Sequence, residues 1–180
     1  MKHKSGEMNY NSLSEYFYKV YNICLLMMFV PVAGFLYVYY LVLTNQVKPT
    51  LVSEDVIQIT LVLFPILALL DLTIVHWFSL RRLKTFSNEM SLGVRLHKYV
   101  SVATLRVSGS VATSLFMGAG LYMTHHEFFS IYFGVIVLWT AFNWPTPKKV
   151  CRDYKLRGDE EKMVLTKGDA FEQIFTFHSE

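Results

Sequence analysis

Four apolar runs, separated by charged or turn-forming stretches, organise the chain. The first extends from about Val20 to Leu43 and contains LLMMFVPVAGFLYVYYLVL without a charge. The second, from about Val56 to Leu80, has only Asp71 and His76 as ionisable interruptions. The third, from about Tyr99 to Met123, is the least apolar, with Arg106, three glycines and several Ser and Thr. The fourth, Phe128 to about Trp144, is short but strongly apolar through IYFGVIVLWTAF.

A bilayer core about 30 Å thick takes about 20 apolar residues in a helix. The pattern therefore predicts an all-α integral membrane protein, a four-helix bundle with spans at about 20–43, 56–80, 99–123 and 128–144. Residues 1–19 then form an N-terminal segment, 20–146 the transmembrane domain and 147–180 a basic, amphipathic tail. Tyr and Trp near the run ends, such as Tyr18, Trp77, Tyr122 and Trp144, suit interfacial anchoring. A cleavable signal peptide is the rival for the first run, but that run is too long and ends in Tyr, Val and Leu rather than small residues.

Composition strengthens the membrane reading. Of 180 residues, 53% are hydrophobic and only 17% charged, with a mean hydropathy of +0.32. Soluble domains carry roughly a quarter of their residues as charges. The net charge of +3 is too small to argue for nucleic acid.

Where the charges fall decides orientation. The segment before the first span has Lys2, Lys4 and Lys19; the second connection has Arg81, Arg82, Lys84, Arg95 and Lys98; the tail has seven more, from Lys148 to Lys167. The other side has Lys48 alone. Basic loops stay cytoplasmic, so both termini are expected inside, most naturally at a plasma (inner) membrane. Omitting the third span would send the most basic segment outside.

A few residues are costly where they stand. An Arg or Asp near the centre of a membrane helix costs roughly 2.5–3.5 kcal/mol on insertion scales. Asp71 precedes Arg81 by ten residues and Arg106 follows Lys98 by eight, which puts the two charges at similar depth. They are expected to pair across helices two and three, as a clamp in the preferred reading and as a substrate or proton site in the alternative. Ser110, Ser114 and Gly118 form a small-residue stripe allowing close helix approach. Packing within the bundle is favoured over a dimer interface there, and the third helix is expected to be the most enclosed.

Pro31 and Pro65 fall mid-span, where proline removes a backbone hydrogen bond. After Pro145 and Pro147, the cations Lys148, Lys149 and Arg152 are placed to touch anionic headgroups. The apolar residues that follow predict a short helix lying on the membrane or docking a protein partner, and Asp169 with Glu172 a capping box. Cys24 sits in an apolar run and Cys151 in a basic tail, which argues against a disulfide.

No catalytic motif, metal-ligand set or cofactor signature is read: there is no Cys-x-x-Cys pair, phosphate loop, His-Glu-x-x-His helix or Gly-x-Ser-x-Gly elbow. The favoured function is a non-catalytic subunit, scaffold or assembly factor of a membrane complex. The alternative is a homo-oligomeric transporter of a small solute, ion or proton using Asp71 and Arg106. A membrane-embedded enzyme ranks third.

Overall fold

The computed structural model describes residues 12–51, 53–87 and 91–166. Among the described residues every regular element is a helix and no strand occurs. The order is α1 (Leu13–Leu43), α2 (Glu54–Phe86), α3 (Leu92–Thr124), α4 (Phe128–Phe142), α5 (Pro147–Tyr154) and α6 (Asp159–Leu165). The first three are long and apolar enough to cross a membrane, and α4 joins them if α4 and α5 count as one bent span.

Helix ends follow local chemistry. Ser12 caps α1 by accepting the Glu15 amide at 3.1 Å, and Glu15 pairs with Lys19 one turn on at 2.6 Å. These contacts carry α1 seven residues ahead of the expected span. Pro31 and Pro65 lie inside continuous helices. His125 ends α3 in the left-handed conformation, its amide donating to the Leu121 carbonyl. Beyond Phe142 the sequence Trp144-Pro145 breaks the helix, and Thr146 caps α5 by accepting the Lys149 amide, with Pro147 in the first turn. The chain bends by 73° between α4 and α5.

At the centre is α3, with α1, α2 and α4 each packed against it. Over its most apolar stretch 56% of α3 is buried, against 17% for α1 and 11% for α2. Its small residues explain the difference. A Cβ on Gly109 would sit 2.8 Å from Val75 Cγ2, and one on Gly120 would collide with the Phe129 ring, so α2 and α4 approach to distances only glycine permits. On α1 and α2 many large side chains instead point outward, with Leu26, Phe29, Val30, Ile59, Val62 and Leu69 all more than 60% exposed. Apolar surface on that scale suits hydrocarbon surroundings.

Two cores lie along α3. One gathers Phe35, Ala68, Met117, Leu121, Phe129, Phe133 and Ile136, with the Phe35 and Phe133 rings stacked 3.9 Å apart. The other joins Tyr16, Phe17 and Val20 of α1 and Leu96, Tyr99 and Val100 of α3 to Val150, Cys151 and Tyr154 of α5, Leu156, and Val164 of α6. The described part of the tail thus packs one face, Val150, Cys151, Tyr154, Leu156 and Val164, into the protein's interior. The expected capping box at Asp169 and Glu172 lies outside the described residues.

Candidate functional site

The buried charges converge where α5 meets α3. Arg106, 7% exposed, donates from Nη1 to Asp153 Oδ2 at 2.6 Å and from Nε to Ser79 Oγ at 3.2 Å. The Ser79 hydroxyl spends its own proton on the His76 carbonyl, 2.7 Å away, and so is free to accept from the guanidinium. Tyr99 donates to the same Asp153 oxygen at 3.2 Å, while Lys149 Nζ stands 4.0 Å from Oδ1. A carboxylate with an arginine, a phenol and a nearby ammonium has its charge well compensated in a setting only 10% exposed.

A second row of contacts closes the same end. Tyr154 donates to the Arg95 carbonyl at 2.8 Å, Tyr16 donates to the Leu96 carbonyl at 2.8 Å, and the Arg95 side chain pairs with Glu160. Burial pushes the Tyr154 phenol up to about 12. Burial also lowers Lys149, an effect partly countered by Asp153.

Asp71 and Arg106 are not brought together. On facing sides of the antiparallel α2 and α3, Asp71 meets Thr113, Val75 meets Gly109 and Ser79 meets Arg106. Ser79 lies eight residues past Asp71, roughly 12 Å along the helix. The sequence-based depth estimate aligned Arg81 with Lys98. In the structure Lys98 lies over the Phe86 ring and Arg82 donates to Ser101, so the register differs by about five residues, roughly one and a half turns.

Asp71 is half-buried, and its Oδ2 lies 2.9 Å from Thr113 Oγ1. That hydroxyl is also 2.9 Å from the Gly109 carbonyl, so one proton is shared between two acceptors. Among the described residues Asp71 has no ion-pair partner.

The small-residue stripe is enclosed. Ser110, Ser114 and Gly118 are all buried, and a Cβ on Gly118 would touch Phe35 of α1 at 3.8 Å. Ser114 Oγ has no hydrogen-bond partner among the described residues. Of the three expected headgroup cations, Lys148 and Arg152 are exposed, whereas Lys149 turns inward to donate to Asn143 Oδ1 at 3.3 Å. Between α2, α3 and α4 a narrow cleft bordered by His76, Arg106, Ser110, Thr140 and Asn143 has about 10 Å³ of free space, room for one water. Both cysteines are buried and free, and no cluster of three or more metal-ligating side chains occurs among the described residues.

Asp153, Tyr99 and Ser79 escaped the sequence reading. The available signal was a lone acid in the run Lys148 to Arg157, set beside Val150, Cys151 and Tyr154 on one face of a short helix.

Comparisons with protein-family models, with curated proteins and with solved structures give no significant match, and function has to be read from the residues themselves.

Proposed function

We propose that this chain is a four-span helical bundle in the plasma membrane, with both termini cytoplasmic, and that it serves as a non-catalytic subunit or assembly factor of a membrane complex. The observation carrying this reading is Asp71. It is a half-buried carboxyl on a helix whose large apolar side chains face outward, and Arg106, the buried cation nearest in kind, is already engaged by Asp153. A carboxyl so placed in hydrocarbon is costly unless it is protonated or met by a cation. A basic or hydrogen-bonding side chain on a partner's helix, laid against α2, would meet that need.

The proposed orientation draws on charge placement. Arg81 lies over the Trp77 ring at 3.7 Å, an amphipathic pair suited to a membrane boundary. The α5 and α6 cations gather at that same end, and Lys48 is the basic residue at the other. Reporters fused to the two ends test this directly: both should read cytoplasmic, and opposite readings would remove the four-span topology.

The functional proposal is tested by solubilising tagged protein from its native membrane in mild detergent. A stoichiometric partner that is retained by the native chain and released by Asp71→Leu, with the variant still folded, supports a subunit. Retention unchanged by Asp71→Leu rejects Asp71 as the contact. Transport is the second reading, favoured by the cleft beside His76 and Arg106; uptake into proteoliposomes containing only this chain would establish it in place of the first.

A further inference from the structure

Between α5 and α6 an open cleft of about 450 Å³ is rimmed by Lys148, Arg152, Lys155 and Arg157. Lys148, Arg152 and Lys155 recur at four- and three-residue spacing, which brings them to one side of α5 and its cap. Val150 and Tyr154, on the opposite side, are buried in the core. Lys149 and Asp153 turn toward Arg106, so the outer cations are not drawn into that network. All four rim cations are exposed, and none has a side-chain hydrogen bond or ion pair among the described residues. Among the described residues Glu161 is the one acid lining the cleft. Leu156, Cys151 and Leu165 give it an apolar floor, with Leu165 41% exposed.

Four unpaired cations over an apolar floor fit a ligand that is anionic at one end and apolar at the other. The location narrows the choice. The cleft follows directly on α4, whose Val135, Leu138 and Phe142 are between 58% and 78% exposed, and the 73° bend turns α5 across the end of that apolar surface. If α4 crosses the bilayer, α5 lies nearly flat at headgroup depth.

We infer that the α5–α6 cleft binds the phosphate headgroup of an anionic phospholipid, with Lys148, Arg152, Lys155 and Arg157 as its ligands. This rests on the membrane placement proposed above. It revises the headgroup set expected from sequence, because Lys149 faces inward while Lys155 and Arg157 join the rim.

The test uses the full-length chain in non-ionic detergent micelles doped with phosphatidylglycerol or phosphatidylcholine, with retained lipid counted by native mass spectrometry. Both ends of the protein are accessible in a micelle, so an error in the proposed topology leaves lipid retention intact and is caught separately by the terminal reporters. One phosphatidylglycerol should be retained in preference to phosphatidylcholine. Arg152→Gln with Lys155→Gln should weaken retention at least about ten-fold, since each basic residue near an anionic headgroup contributes roughly five-fold. Lys48→Gln, at the far end, should change nothing. Equal retention of phosphatidylcholine, equal loss in Lys48→Gln, or displacement of the lipid by inorganic phosphate at matching concentration would overturn the inference. The substituted side chains are exposed, and an unchanged thermal melt of the double variant confirms that folding is not what was lost.

Discussion

Asp153, on a short helix beyond the fourth apolar run, accepts a 2.6 Å ion-paired hydrogen bond from Arg106 in the middle of the third. The two side chains are 10% and 6% exposed, so neither has bulk water to fall back on. Removing one partner strands a buried charge, which typically costs 3–5 kcal/mol, whereas replacing both with apolar residues of similar volume is often neutral. Asp153→Leu alone should lower the detergent-solubilised melting temperature sharply, and Arg106→Met with Asp153→Leu should recover most of the loss. A double variant as unstable as the single one would show that the guanidinium's other bond, to Ser79, matters more.

The α2–α3 register makes a geometric prediction. A Cβ at position 109 would lie 3.1 Å from Val75 Cβ, a little inside the roughly 3.5–4.5 Å that a disulfide spans, so a small outward shift of the two helices admits the bond. In a background lacking Cys24 and Cys151, Val75→Cys with Gly109→Cys should cross-link on mild oxidation. Asp71→Cys with Arg106→Cys should not, being about two turns out of step. Gel mobility before and after reduction reads both.

Gly109→Ala should destabilise by about 1–3 kcal/mol, because the new methyl meets a β-branched side chain that cannot swing away. Val75→Ala added to it should restore part of the loss, as followed by thermal melting of the two variants.

Cys151 is 7% exposed, and burial pushes its thiol above the usual range, which lowers the thiolate fraction. Cys24, 1% exposed, has no route to a reagent. Maleimide should modify neither at an appreciable rate in the folded protein and both after denaturation in dodecyl sulfate, as counted by mass shift.

Alkaline pH should loosen the α5 end. Tyr154 stays protonated up to about 12 in the folded chain, while an exposed tyrosine ionises from about 10. The unfolded state therefore releases a proton first, and stability present below pH 10 is lost between there and about 12. Tyr154→Phe should flatten that part of the stability profile in a pH series of melts.

Much of this architecture was legible in the residues. Long apolar runs announced α1 and α2, the first without a charge and the second interrupted only by Asp71 and His76, and the glycines, serines and threonines of the third run announced a helix enclosed by its neighbours. The partner of Arg106 was not legible, because helix register depends on how far each helix continues past its apolar stretch. Phe86 and Leu92 bound the α2–α3 connection, well inside the stretch from Arg81 to Lys98 that hydropathy alone leaves open. The fate of the tail was hidden for a related reason. Eight residues of α5 reveal a buried face only when Val150, Cys151 and Tyr154 are set against α3.

The 47 residues separating Arg106 from Asp153 have a consequence for biosynthesis. Translation delivers the arginine long before the carboxylate that neutralises it, so a nascent third helix must wait, uncompensated, until the fourth helix and α5 have left the ribosome. On the membrane placement proposed above, a polypeptide halted just after Trp144 would hold that helix less firmly in the lipid than the finished protein does.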